Sequence, residues 1–275
     1  MKNTLLIAFI LMIHFTVKGI ENDAIIVTYI ANCGFMIEMD STKIIIDGLF
    51  TDGYNHYASP DSATLNLITR GSEPFSNIDY VFVSHKHGDH FEALSVSNFM
   101  LNNNRSRLIC SKQVIDKLKK YPDKYEQFDS RVVECTPDTF NSITIQLDDL
   151  EIIACRLVHG NEKHKEIENI AFLISCNNKT IFHTGDADPN LVDKYVGIIP
   201  SEKKINIAFI NGAFGNYKNF QITNSFINAD KNIAMHFPKN FFKMKHKRIE
   251  NIPDYFTEPI VFKELLERQV FYITK

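Results

Sequence analysis

His85-Lys86-His87-Gly88-Asp89-His90 is the stretch on which the reading of the fold turns. Four side chains able to ligate a metal fall within six residues. They come directly after Tyr80 to Ser84 (YVFVS), an apolar run that reads as a buried strand. His85 and His87 are two apart, so in an extended turn they point the same way and can grip one cation. Gly88 permits a sharp bend, and Asp89 and His90 then face a second position nearby. Imidazole and carboxylate donors of this kind suit zinc, iron or manganese. The plain alternative, a solvated polar loop, accounts poorly for HxHxDH at the end of a strand.

The remaining donors must come from further along the chain. Leu157-Val158-His159-Gly160 sets a His at the end of an expected strand. His183-Thr184-Gly185-Asp186-Ala187-Asp188 sets an Asp just past another, and Ala234-Met235-His236-Phe237-Pro238 sets a third late His. Side chains from separate strands can converge where the strands stop. Taken singly, each such His reads better as a satisfied core or surface residue; taken with the hexapeptide, the balance reverses.

These residues resemble the signature of the metallo-β-lactamase-fold hydrolase superfamily: His85, His87, Asp89 and His90 match its HxHxDH motif, and His159, Asp186 and His236 follow in the family order. Ile30-Ala31-Asn32-Cys33-Gly34-Phe35-Met36-Ile37-Glu38 and Lys43-Ile44-Ile45-Ile46-Asp47 resemble its opening strands. The likeness runs from about residue 24 to 240. It implies an α+β fold, a four-layer αβ/βα sandwich with the site along one edge. It further implies a dinuclear centre. His85, His87 and His159 would hold one cation, Asp89, His90 and His236 the other, and Asp186 would bridge them. Asp47 would support the metal loop from behind, and Asp89 is also the candidate catalytic residue. Two divalent ions are expected, zinc first, with manganese or iron as alternatives. Coordination lowers the pKa of water from about 15.7 to roughly 7, which makes it a nucleophile at neutral pH.

Lactamases of this fold typically carry Cys or Ser where this chain has Asp186. The bridging Asp resembles the phosphodiesterase, lactonase and thioesterase branches. The opening strands and Thr184-Gly185-Asp186 look most like the branch of ascorbate-phosphate lactonase and the N-acyl phosphatidylethanolamine phospholipase D type. Hydrolysis of an ester-type bond, phosphodiester or lactone, is therefore expected. β-Lactam or thioester cleavage, or non-heme iron redox chemistry on the same fold, stand as alternatives.

Composition is consistent with this. The 275 residues are 44% hydrophobic and 23% charged, the balance of an ordinary folded protein rather than a disordered or fibrous one. A net charge of -3 gives no case for nucleic acid as a partner. A small-molecule or lipid-like substrate is expected, with the oligomeric state left open. The five Cys, odd in number and without a CxxC, argue against a disulfide framework and against a Cys-type zinc site. Residues 1–19 read as a signal peptide. Lys2 precedes the apolar run Leu5 to Val17, with Val17 and Gly19 placed for cleavage. That run is too short to span a bilayer comfortably, so an exported protein, periplasmic or secreted, is expected, with residues 20–275 as one domain.

Strand patterns recur at 24–29, 34–39, 43–47, 107–110, 131–134, 142–147, 151–158, 171–175, 179–183, 205–210, 232–235 and 270–274. Helical spacing occurs at 91–101, 111–120 and 257–268. Residues 48–75 read as a long loop, whose Tyr54, His56 and Tyr57 could cover the site or lie exposed. His164, between Lys163 and Lys165, reads better as a solvated turn than as a contact for an anionic substrate. The basic, aromatic run from Lys239 to Lys247 reads better as charged surface than as a lipid or phosphate contact. Asp188 reads as a supporting or surface residue.

Overall fold

In the computed structural model, residues 23–160, 162–212, 226–239 and 260–273 are described. The expected signal peptide and nearly all of the 239–247 run lie outside them. No helix among the described residues is long and apolar enough to cross a membrane.

The chain opens with three antiparallel strands, β1 (Ala24–Ala31), β2 (Gly34–Met39) and β3 (Thr42–Ile46). β4 (Tyr80–Val83), β5 (Arg107–Cys110) and β6 (Val132–Glu134) then add in parallel. β13 (Arg268–Tyr272) closes the other side, antiparallel to β1. The resulting seven-stranded sheet has the order β13-β1-β2-β3-β4-β5-β6. The second sheet contains β7 (Ser142–Leu147), β8 (Leu150–Leu157), β9 (Asn169–Cys176), β10 (Lys179–His183), β11 (Ile205–Asn211) and β12 (Ala229–Met235), ordered β12-β11-β10-β9-β8-β7.

The faces these strands turn toward each other are apolar and fully buried. Phe35 and Phe82 on the first sheet, with Phe209 and Phe172 on the second, meet as ring pairs at 4.7 Å and 5.1 Å between centroids. Burial of these and the surrounding Ile, Met and Cys side chains is the main attraction between the sheets. The outer face of the first sheet is covered by α1 (Ser62–Arg70), α2 (Ala93–Asn102) and α3 (Lys112–Leu118), whose Ile68, Phe99 and Val114 are buried against it. A short α4 (Pro122–Tyr125) follows. On the outer face of the second sheet, α5 (Val192–Tyr195) buries Val192 and Tyr195. These two mixed sheets with outer helices are the α+β sandwich that the resemblance implied. All five cysteines are unpaired and buried.

Two expectations need correction. The 48–75 stretch is not loop throughout, because it contains α1. Asp61 caps that helix, its Oδ1 accepting from the Thr64 amide at 2.7 Å, and Gly71 ends it at φ 60°. The helix 257–268 is not formed over its described part, where Ile260 instead bridges Ile233. The Tyr29 carbonyl accepts from the Leu266 amide, and the Tyr29 amide donates to the Glu267 carbonyl. Phe262 packs on Tyr29 and Phe35. Edge pairing to β1, with burial of one aromatic ring, outweighs the local helical spacing.

Gly34 starts β2 where backbone crosses backbone. A Cβ there would lie 2.7 Å from the Asp47 carbonyl oxygen and 2.9 Å from the Gly48 Cα. Neither neighbour is a side-chain tip that can swing aside. Gly34→Ala is expected to cost about 1–3 kcal/mol of stability by overpacking, read as a lower denaturation midpoint in urea.

Candidate metal centre

Direction of travel explains the convergence. β8, β10, β11 and β12 run the same way, because β9 is antiparallel to its two neighbours and β10 to β12 are parallel. Their ends deliver His159, Asp186, Asn211 and His236 to one edge. β3 and β4, parallel in the first sheet, end at the same place with Asp47 and His85. Ser84 ties the two sheets here, its carbonyl accepting from the Ile170 amide at 2.8 Å.

The 85–90 loop is held from several sides. The His87 carbonyl accepts from the amides of His90 and Phe91, closing a tight turn, and buried Phe91 pairs with Leu49. The Gly88 amide donates to the Tyr54 hydroxyl at 2.7 Å, and Lys117 Nζ donates to the Lys86 carbonyl at 2.9 Å.

Behind the loop, buried Asp47 accepts three hydrogen bonds, from the Ser84 amide (2.7 Å), Ser84 Oγ (2.5 Å) and His90 Nδ1 (2.8 Å). Because Ser84 Oγ gives its proton to Asp47, it receives one from His85 Nδ1 at 2.9 Å. Both imidazoles thus engage Nδ1 with the scaffold and present Nε2 to the interior. A carboxylate behind a metal-ligating His commonly plays this part.

The donors form two groups. Ligating atoms of His85, His87 and His159 all lie within 4.8 Å of one another, and so do those of His90, Asp186, His236 and Cys33. Oδ2 of Asp186 reaches both. It lies 3.8 Å from His85 Nε2 and 3.5 Å from His159 Nε2, and 3.4 Å from His90 Nε2 and 3.2 Å from His236 Nε2. Asp89 borders the second group, with Oδ2 3.4 Å from His236 Nε2 and held by Asn32 Nδ2 at 3.2 Å.

Electrostatics sort these residues. Burial, then the neighbouring imidazoles, holds His85 well below its usual pKa, and burial takes His87 down to about 4. Both are therefore neutral with free lone pairs at pH 7. Burial also opposes charge on His90 and His236, but Asp186 and Asp89 outweigh it. His90 is pushed well up, and His236 up to about 9. Burial would raise Asp186, yet His236 and His90 hold it well below the carboxylate range. The Asp186 and Asp89 carboxylates thus favour positive charge at this group, which a bound cation would supply in place of the imidazole protons. The Nε2 atoms of His85, His90 and His159 are buried with no hydrogen-bond partner among the described residues. Unsatisfied buried nitrogens are costly in an apolar site, and together with two carboxylates this set fits divalent cations.

The family model described as "Beta-lactamase superfamily domain" matches residues 42–219. The chain belongs to the beta-lactamase superfamily. No curated protein matches it. Among solved structures it is similar to Igni18, a metallo hydrolase from the archaeon Ignicoccus hospitalis. The TM-score is 0.56 at 16% identity, over 91% of this chain and 100% of that one. It is also similar to isothiocyanate hydrolase from Delia radicum gut bacteria (TM-score 0.53, 12% identity, 90% and 100% covered). A third is CmlA, a diiron β-hydroxylase from Streptomyces venezuelae (TM-score 0.53, 12% identity, 90% of this chain and 54% of that one). At such identities the likeness speaks for the superfamily fold.

All seven expected donors and Asp47 thus meet at one edge of this superfamily sandwich. Asp188 serves the scaffold, its Oδ1 accepting from the Asn190 amide at 2.9 Å. His164, read as a solvated turn, instead packs its ring against His87 (5.2 Å) and His159 (5.0 Å). Tyr57 stacks on His236 at 4.2 Å, whereas His56 is exposed and packs edge-on to Tyr57. Tyr54, Tyr57, His164 and Asn211 border a cleft of about 460 Å³ that opens onto the donors.

Three supporting residues escaped the sequence reading. Asn169, at the start of β9, accepts from the Asp186 amide at 2.9 Å and donates to the Thr184 carbonyl at 3.2 Å. Its Oδ1 comes so close to Gly185 that a Cβ there would lie at 2.4 Å. Asn211 Nδ2 donates to Asp186 Oδ1 at 3.4 Å. Cys33 is the third. For Asn211 a signal existed, a polar residue closing the apolar run INIAFIN. Asn169 and Cys33 carry no such mark.

Proposed function

We propose that the chain is a dinuclear metal-dependent hydrolase that cleaves an ester-type bond, a phosphodiester or a lactone. The observation that carries this reading is the position of Asp186 Oδ2, within 3.8 Å of imidazole nitrogens from both donor groups. Such a carboxylate is what two neighbouring cations require to offset their repulsion. His85, His87 and His159 would hold one, Asp89, His90 and His236 the other, with Asp186 between. When bound, the cations supply Lewis acidity and make water reactive at neutral pH.

The protein's own contribution is orientation. Asp47 and Ser84 fix which nitrogen His85 and His90 present. Asn169 and Asn211 hold the Asp186 backbone and carboxylate. At the cleft wall Tyr57 keeps its phenolic proton, since burial, then Asp186 and Asp89, push it up to about 12. It thus offers a donor beside substrate. A second reading, oxidative diiron chemistry, draws on the fold likeness to CmlA. The superfamily match and the likeness to two hydrolases favour hydrolysis.

The test joins elemental analysis of gently purified protein to a screen of aryl phosphodiesters, lactones, thioesters and β-lactams. Activity toward an ester-type member is expected, abolished by chelation and restored by zinc or manganese. Hydrolysis that survives complete metal removal, or oxygen consumption with iron and no hydrolysis, would defeat the proposal.

A further inference from the structure

We propose that Cys33 is itself a ligand of this centre, a thiolate donor on the side of His90, Asp186 and His236; the inference rests on the metal-dependent reading above. Cys33 lies in the turn between β1 and β2, just past a register irregularity between Tyr29 and Ala31 and next to Asn32 in the left-handed region at φ 49°. That turn serves the site twice. Asn32 Nδ2 donates to the Asp89 carbonyl at 3.1 Å and to its carboxylate at 3.2 Å. Cys33 is fully buried, and its Sγ lies within 4.8 Å of donor atoms on His90, Asp186 and His236.

A second observation, beside the sulfur's position, points to a ligand on this side. Nε2 of His90, fully buried, has no hydrogen-bond partner among the described residues and belongs to the same donor group. Cys33 packs in the apolar cluster between the sheets, yet its sulfur also lies beside three donor atoms, which packing alone does not require. Of the other four cysteines, Cys135 and Cys176 belong to the apolar cluster between the sheets that also takes in Cys33; Cys110 is under the helices, and Cys155 is on the outer face of the second sheet. None of them joins a group of ligating side chains among the described residues.

Coordination would exchange the S–H proton for the cation, with the proton released to solvent and no change of oxidation state. A soft thiolate beside imidazole and carboxylate favours zinc, cobalt or iron over manganese. The centre would then be asymmetric, all-imidazole on the His85 side and thiolate-containing on the His90 side.

Cobalt(II) reports thiolate ligation directly, through an intense sulfur-to-cobalt charge-transfer band in the near ultraviolet. The full chain, stripped and reloaded with cobalt chloride, is expected to bind two ions and show the band. Cys33→Ser should lose it while keeping cobalt on the His85, His87 and His159 side. Cobalt bound at both positions without the band in the unmodified chain overturns the Cys33 assignment and leaves the metal centre standing. A band that persists in Cys33→Ser overturns it equally. No cobalt bound at all overturns the metal reading and this inference with it. The spectrum of the unmodified chain decides even if the variant folds poorly.

Discussion

Asp186→Ala is expected to strip the chain of most of its bound metal and to lower hydrolysis on the order of 10³-fold, about 4 kcal/mol at 1.36 kcal/mol per decade. One oxygen of Asp186 lies within 3.8 Å of His85, His159, His90 and His236, so its removal disturbs both donor groups at once. His90 and His236, which that carboxylate faces, would also lose the negative charge that favours a cation beside them. Metal content by elemental analysis and kcat/KM on the best substrate of the screen check this. Full metal occupancy in the variant would contradict the shared role.

Asp47→Ala carries the second large effect, and its first readout is stability. Asp47 never faces the cleft, yet it accepts from the Ser84 amide, Ser84 Oγ and His90 Nδ1. Alanine would leave these buried donors without a partner, at a cost of about 3–5 kcal/mol for a broken buried pair. His85 and His90 would also be free to turn, so metal affinity should fall about 10- to 100-fold. Urea denaturation and metal titration measure the two effects separately. Asp47→Asn, which keeps the shape and one acceptor, should lose less of each. Equal metal affinity in Asp47→Ala would show that the Nδ1 contacts do not orient the ligands.

Part of this arrangement was legible in residue order. HxHxDH after YVFVS announces its chemistry because the ligands are close in sequence. His159, Asp186 and His236 could be placed with it because each stands at the end of an apolar run, and strands running one way stop at one edge. Asp47 was placed only by the resemblance of the opening strands to the superfamily. Asn211 was marked only by closing the apolar run INIAFIN, and Asn169 and Cys33, brought beside the donors across long sequence separations, carried no local mark. His164 shows the same limit, since a His between two lysines looks solvated until β8 and its following turn bring it against His87.

The errors of secondary structure have matching causes. α1 is weakly apolar overall and buries few side chains, so it blended into a polar stretch, although Asp61 and Gly71 marked its ends. At 260–268 the apolar spacing is helical, but Phe262 fills a gap beside Tyr29 and Phe35, and the backbone there completes the edge of β1. Long-range pairing decides between two locally acceptable conformations.

The most direct test of the central claim is X-ray diffraction from metal-reconstituted crystals, with data collected on either side of the metal absorption edge. Two anomalous peaks are expected, one among His85, His87 and His159 and one among His90, Asp89 and His236, with Asp186 touching both. A single peak, or peaks away from the 85–90 turn, would contradict the account.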